Sequence, residues 1–588
     1  MSAQTKYVSY VPVGSPAWEP SCNPNWRGGR CDGWRHAKSV YAVDFQNNRG
    51  MNGLANTLLA SCLTTARATT SYLSDNAGLY QFYNVNALAL RADAGAYIGG
   101  AFTNKIRNPR GEGGASGLIG SGGVAPTNWL FEQAGVNFNY TLTVGQSESG
   151  LSATDIRIQN LGGTPRRILF EQSNAQIAAL PGEAWGFDVF VKLQAGSLAS
   201  TTLALELQWR DSEGGAVGSV NSTSVVPTAG ALSENYFSVK AIAPTRTSYV
   251  TLALRLTPLS VTPGMTDVTL RVGPAKACNL PTLDGPELVF NGDFSNGLTD
   301  WATVGAASLA VVSGELEITT DGANKGAQSP LVPTQVGAVY RTTWSGRKST
   351  ANFQLNWTSP NQAIMGPSGS ITNVDFTTYF LASTTSGRLF PFTTQAGICY
   401  FDNFSMKLLS AGHLPVYPIM PPAGVPGDST RSADLVQSSN FDWYDGMDCD
   451  AGASVLVTLA LSHVGDGVER TLFELSDGTG TNAVRAYISA GDRVGLKIIA
   501  GGVTQVDAVL TATVSTGKSA FGFGWSVGRC YVTNGSEIVS ADAAALPVIT
   551  QQRMGCAVSA GSLNDMLGLV QTCVRLSPDE AQDWVLSR

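Results

Sequence analysis

Asn291-Gly292-Asp293-Phe294-Ser295-Asn296-Gly297-Leu298-Thr299-Asp300-Trp301, answered about a hundred residues later by Tyr400-Phe401-Asp402-Asn403-Phe404, is the stretch that decides the fold. Gly292 and Gly297 supply tight turns, and Phe294 and Trp301 supply two core anchors. The alternation through Tyr400 to Phe404 lets a last strand pair back beside a first one, as in a two-sheet jelly roll. Outward from this stretch the chain reads as all-β.

Composition agrees. The 588 residues exceed what one core fills, so roughly three to five domains are expected. With 65 Gly, 27 Pro, 43% hydrophobic and only 14% charged residues, the chain is folded and turn-rich, not disordered. A net charge of -7 with no concentrated Lys/Arg excludes a nucleic-acid tracker. No apolar run of about 18 residues occurs, so membrane insertion is not expected, and Met1-Ser2-Ala3-Gln4-Thr5-Lys6 lacks the apolar core of a signal peptide. Synthesis and assembly in a bacterial cytoplasm is the expectation. The nine cysteines are scattered and odd in number with no CxxC pair, against a zinc site or a disulfide framework. Cys22 and Cys31 flank one loop and are read either as a bridge or as free thiols.

Residues 284–412 resemble the jelly-roll carbohydrate-binding modules through the two segments quoted above. That resemblance implies a fold, a sugar ligand and a structural calcium between the first and last strands, with Asp293 and Asp402 as the matching donors; no other cofactor is required. Calcium takes six to eight oxygens. The residues themselves read equally as local caps, Asp293 on its turn and Asp402 on a strand-end amide.

Residues 127–283 show clean period-two alternation. Trp185, Phe187, Val189, Val191 and Leu193 share one strand face, and Leu203, Leu205, Leu207 and Trp209 another; Val250 to Leu256 and Val268 to Val272 repeat the pattern. This region and 284–412 share an order of features: an opening tryptophan (Trp129, Trp301), a Pro-then-Gly turn before an aromatic strand (Pro181-Gly182 before Trp185; Pro333 and Gly337 before Tyr340), and a Tyr-Phe pair (Tyr236-Phe237, Tyr379-Phe380). Two jelly rolls in tandem are predicted.

After a Pro-rich linker at 413–424, residues 425–588 resemble concanavalin A-like (laminin-G-like) sandwiches. Arg470-Thr471-Leu472-Phe473-Glu474-Leu475-Ser476-Asp477-Gly478, Val484 to Ile488, Val494 to Ile498 and Leu567 to Leu576 carry the likeness. Ser577 as N-cap, Pro578 at the first helical position and Glu580 three residues on predict a short C-terminal helix.

The first 110 residues lack sandwich patterning. Trp18, Trp26 and Trp34 with Arg27 and Arg30 between them have the composition of a contact surface, or of a small local core. Arg67-Ala68-Thr69-Thr70 followed by Thr103-Asn104-Lys105-Ile106-Arg107-Asn108 resembles the N-terminal region of fibres and spikes of tailed bacteriophages. The resemblance implies an irregular particle-attachment region at 1–110 that docks on phage capsid or tail proteins. The Gly-rich run at 111–126 reads as a linker, since no strand and Lys-Ser/Thr helix start flank it as a phosphate loop requires.

No catalytic pattern emerges. Glu469 and Glu474 are five apart, which places them on opposite faces of one strand, and His36, His413 and His463 lie in different regions. No enzyme is expected. Sugar recognition needs aromatic faces in loops, for which Trp344, Trp357, Trp443, Tyr444 and Tyr531 are candidates, each also readable as core; Asp442, Asp445, Asp448 and Asp450 surround two of them. The expectation is a fibre or spike on the outer surface of a virion, binding host surface polysaccharide as a homo-oligomer, a trimer first and a pentamer second. A capsid or tail decoration protein and a polysaccharide depolymerase are the alternatives.

Overall fold

The computed structural model describes residues 30–588 apart from 32–34, 37–38, 47–48, 53–54, 59–61, 75–78, 92–93, 133–138, 161–162, 172–176, 260–265, 359–360, 416, 422, 425–426, 439–451 and 559–560. The all-β expectation is met: sandwich sheets dominate, and the C-terminal helix Pro578–Leu586 is the one α-helix of any length among the described residues. Three large cores fill three two-sheet sandwiches.

The two jelly rolls have the same strand order in both sheets. In the first module, Asn139–Glu148, Leu151–Gln159, Asp267–Leu280, Ala184–Gly196 and Tyr236–Ile242 lie side by side. In the second, Ala307–Val312, Glu315–Thr320, Gly397–Ala411, Val339–Lys348 and Val374–Leu381 do so in the equivalent order. The facing sheets match strand for strand as well: Leu130–Phe131, Arg166–Leu169, Tyr249–Pro258, Thr201–Arg210 and Ala216–Val225 against Ala302–Val304, Lys325–Gln328, Leu389–Thr393, Phe353–Thr358 and Asn361–Ser368. Trp129 and Trp301, Trp185 and Tyr340, and Tyr236 and Tyr379 fall on or beside equivalent strands, so the predicted duplication is structural. The alternating positions of 127–283 face the first core as expected, with Leu193 at its margin.

In the second module Phe294, Trp301 and Phe404 form one ring cluster with centroids 5.1 to 6.2 Å apart. The last strand does return beside the first segment, through the Phe404 amide on the Gly292 carbonyl at 2.9 Å. Gly297 turns the chain with φ +64. Gly292 is needed for another reason. A Cβ there would lie 2.0 Å from the Phe404 carbonyl oxygen, so glycine permits the close approach.

The third sandwich departs from the expected linear order. One sheet runs Ile538–Ala541, Cys530–Thr533, Gly517–Ser526, Gly452–Leu461, Asp565–Val574, and then continues into Ser39–Asp44, Arg49–Asn52 and Ala55–Leu58, with Gly95–Ile98 also on Asp565–Val574. The facing sheet runs from Val503–Thr513 through Arg493–Ala500, Ala483–Ile488, Arg470–Ser476 and Gln551–Met554 to Leu435–Ser438 and Leu63–Ala66. The strands Ser39–Asp44, Arg49–Asn52, Ala55–Leu58, Leu63–Ala66 and Gly95–Ile98 are therefore part of the C-terminal sandwich and not an irregular region, whereas Ser71–Ser74 and Tyr80–Tyr83 pair as a hairpin of their own. Tyr41, Val43 and Phe45 alternate into its core while Ala42 faces the C-terminal helix, so the apolar run from Val40 to Val43 shows no period of two.

The jelly rolls are thus inserted into this sandwich. The exit strand Phe102–Asn104 pairs antiparallel with the return strand Ser429–Arg431. Asn104 is fully buried; its Nδ2 donates to the Ala275 and Ile419 carbonyls and its Oδ1 accepts from Ile106 N and Ala277 N, which explains the Thr-Asn-x-Ile-Arg-Asn segment as a crossover. The Gly-rich 111–126 is not a free linker either, since Gly117–Ile119 adds an edge strand to the first module. Nor is 413–424, whose Leu414, Tyr417 and Ile419 fill a junction core with Tyr97, Leu280, Val339 and Met566.

A charge hub closes the junction. Asp434 accepts from Arg67 Nη1 (3.0 Å), Arg431 Nη2 (2.6 Å) and the Gly99 amide (2.8 Å), with both guanidinium groups 2% exposed. Arg431 sits 5.3 and 5.1 Å from the rings of Tyr97 and Tyr417.

Candidate functional site

The outer face of the larger sheet of the third sandwich is half covered. The helix Pro578–Leu586 starts as predicted, with Ser577 Oγ accepting from Glu580 N at 3.2 Å and Glu580 Oε2 from Ser577 N at 2.8 Å. It lays Ala581, Trp584 and Val585 over Ala42, Leu456, Leu569 and Cys573. Beyond the helix end the same face is open.

Ala520, Thr458, Leu569 and Asp44 are successive cross-strand partners there, a row across four strands. Cross-strand partners share a face, so this row floors a groove of about 620 Å³. Polar side chains line it: Asp44, Gln46, Thr458, Thr513, Ser515, Lys518, Ser519, Asn534 and Arg588. The rim is fixed by Glu537, whose carboxylate accepts from Thr511 N (2.8 Å), Thr511 Oγ1 (2.9 Å) and Ala512 N (3.2 Å). The Thr511 amide above all holds that carboxyl below the usual carboxylate range. Lys518 is exposed and makes no ion pair among the described residues, so its ammonium is available to a ligand.

Among the described residues, none of those named from sequence lines this groove. Trp344 (2% exposed) and Trp357 (0%) belong to the core of the second jelly roll, and Tyr531 (3%) lies under the helix with its hydroxyl donating to the Leu576 carbonyl at 3.2 Å. Trp344 and Trp357 fall on inward strand positions and Tyr531 on the outer face beneath the helix, so none presents a ring to solvent. Trp443, Tyr444 and the surrounding aspartates lie outside the described residues, as do Trp18, Cys22, Trp26, Arg27 and Trp34 and the side chains of Arg30 and Cys31. The groove residues carry no motif because they come from five strands, the loops beside them and the C-terminal end; only the topology assembles them.

Asp293 and Asp402 are brought near each other. Asp293 Oδ1 accepts from Ser295 N (3.2 Å) and Oγ (3.0 Å), and Asp402 Oδ1 from Asn403 N (2.7 Å). Burial raises the Asp402 carboxyl, the Asn403 amide offsets part of this, and the charges of Glu315 and Asp293 add to it. Glu315 itself is bound by Arg347 at 2.5 Å. Calcium takes six to eight oxygens, and toward that number the pair offers its two carboxylates.

Glu469 and Glu474 do not point apart. Both meet Arg485, at 3.2 and 2.8 Å, because Glu469 precedes the strand Arg470–Ser476 and escapes its period. His413 and His463 also come together, their rings stacked with centroids 3.5 Å apart.

No family model and no curated protein matches the chain. Among solved structures it is similar to the N-terminal CBM22-1-CBM22-2 tandem domain of Paenibacillus barcinonensis Xyn10C, at 14% identity over 54% of this chain and 99% of that one, with a TM-score of 0.19. Domains LG4-5 of the mouse laminin alpha1 chain align at 11% identity over 46% and 92%, TM-score 0.18. The enzymatically active domain of bacteriophage CBA120 tailspike protein 4 aligns at 12% over 26% and 20%, TM-score 0.21. At these identities and TM-scores the likeness carries no statement about what this chain binds.

Proposed function

We propose that this chain is a non-catalytic glycan-binding protein of a tailed bacteriophage or phage-like particle, holding host surface polysaccharide in the groove of its third sandwich. The groove carries the reading. A lining of Thr458, Thr513, Ser515, Lys518, Ser519, Asn534 and Arg588 offers many weak donors and acceptors, the chemistry that matches sugar hydroxyls. Of the two carboxylates at the groove, Asp44 is 4% exposed and Glu537 is bound to the Thr511 and Ala512 amides at the rim, whereas glycoside hydrolysis ordinarily takes two carboxyl groups flanking the scissile bond. Glu469 and Glu474, the nearest thing to a pair in sequence, are both ion-paired to Arg485.

A polar groove without a stacking tryptophan binds weakly, so several copies per particle are part of the reading: a trimer first, a pentamer second. Attachment to capsid or tail is assigned to Trp18, Trp26, Arg27, Arg30 and Trp34. Incubation with purified host capsule tests the whole: the protein retains the polysaccharide unchanged. New reducing ends or unsaturated sugars would make it a depolymerase, and no retention at all a structural ornament.

A further inference from the structure

A second cavity, of about 130 Å³, lies where the three sandwiches meet. Tyr97 and Phe102 wall it from the N-terminal strands, Pro281 and His413 from the ends of the second jelly roll, and His463 and Asp466 from the loop after Gly452–Leu461. The His413 and His463 rings are parallel within 6°. His463 is tightly oriented: Nε2 is 2.9 Å from Asp466 Oδ2, and Nδ1 is 3.0 Å from Ser462 Oγ and 3.3 Å from Asp565 Oδ2.

Asp466 Oδ1 and His413 Nε2 have no hydrogen-bond partner among the described residues, and neither do Tyr417 Oη on the same wall and Arg470 Nε beside it. Asp466 is only 4% exposed. Leaving a buried acceptor unmet is costly, and a fold that retains one has a use for it. Arg470 does not meet the need: it approaches the other carboxylate oxygen, Oδ2, at 3.5 Å and is shared with Asp492 at 3.1 Å and the His463 carbonyl at 3.3 Å.

We infer that His413, His463 and Asp466 form a binding site for a divalent transition-metal ion of the zinc type. Their ligand atoms all lie within 4.8 Å of one another. A tetrahedral ion bonded at about 2.0 to 2.1 Å holds neighbouring ligand atoms about 3.3 Å apart, so the three side chains reach it from within that 4.8 Å spread by small rotations. Asp565 behind His463 is the carboxylate partner that fixes a ligating imidazole. To take the ion, His463 Nε2 gives up its hydrogen bond to Asp466, any proton there leaves to solvent, and the rings tilt so that their in-plane lone pairs converge. Two imidazoles and one carboxylate select zinc, cobalt or nickel over calcium or magnesium. Since His413 follows the last strand of the second jelly roll and His463 and Asp466 belong to the third sandwich, the ion clamps module to module.

Cobalt(II) titrated into the untagged full-length chain tests this. One equivalent is expected to give visible d–d absorption of tetrahedral intensity, competed away by zinc. His413→Gln and Asp466→Asn should each weaken binding at least roughly 10- to 100-fold, the loss even an outer-shell change produces, while His36→Gln leaves it intact. Zinc should also raise the wild-type melting midpoint with the logarithm of free ion, a readout that needs no variant to fold. Absence of stoichiometric cobalt binding and of any zinc shift, or binding undiminished in both site variants, would overturn the assignment.

Discussion

Asn108 and Asn291 occupy the same place in the two jelly rolls. Each offers its backbone carbonyl to an indole Nε1, of Trp129 at 2.9 Å and of Trp301 at 3.1 Å. Each also clamps the intervening loop with its side chain: Asn108 Nδ2 donates to the Glu112 and Thr127 carbonyls and Oδ1 accepts from Glu112 N, while Asn291 Nδ2 donates to the Gly297 and Thr299 carbonyls and Oδ1 accepts from Asn296 N. The Gly-rich 111–126 is thus the long counterpart of the turn at 293–299. Asn108→Ala and Asn291→Ala are each expected to destabilise their own module by about 2 to 3 kcal/mol, from loss of three hydrogen bonds at a buried site. Module-resolved hydrogen exchange checks it, and an effect spread evenly over both modules would contradict it.

Removing the N-terminal region should break the C-terminal one. A chain starting at Thr127 loses the strands Ser39–Asp44 and Leu63–Ala66, so both sheets of the third sandwich gain raw edges and lose Tyr41, Val43 and Phe45 from the core. The expected outcome is aggregation or loss of the near-ultraviolet signal of Trp525 and Trp584. A soluble, cooperatively melting product would contradict the shared sandwich.

Asp434→Ala leaves Arg67 and Arg431 buried without their carboxylate. Breaking a buried ion pair from one side costs about 3 to 5 kcal/mol. Chemical denaturation should show that loss, and replacement by Asn should recover part of it through the Gly99 amide.

The turn after Arg470–Ser476 is held by Asp477, which accepts from Asn482 Nδ2 (2.8 Å) and from Thr479 N (2.9 Å) and Oγ1 (2.7 Å). These donors, Asn482 first, bring its carboxyl down to about 2. A depressed carboxyl gives stability that is present above its unfolded value near 3.9 and is lost as pH falls through the folded one. Nuclear magnetic resonance titration of Asp477 should find its midpoint near 2, and a midpoint near 4 would show that the turn does not bind the carboxylate.

The fold class, the two jelly rolls and their duplication are legible in the sequence because long strands print a period of two; Trp185 to Val191 is enough to see it. The insertion is not. It rests on short strands such as Phe102–Asn104, whose partner Ser429–Arg431 lies beyond two whole modules, and nothing local encodes that pairing. Aromatic residues mislead for a related reason: composition cannot tell a loop ring from a core ring, and Trp344 and Trp357 each occupy an inward position on a strand. The groove has no local signature because Thr458, Lys518 and Asp44 are ordinary residues until three distant strands align them.

Affinity for purified host polysaccharide, compared between the wild-type chain and two groove variants, tests the central claim most directly. Thr458→Trp fills the floor and should abolish binding; Lys518→Ala removes one charged donor and should raise Kd on the order of 10-fold. Both sit on the outer sheet face, so melting curves should barely move. Binding unchanged in both variants would contradict the groove as the site of recognition.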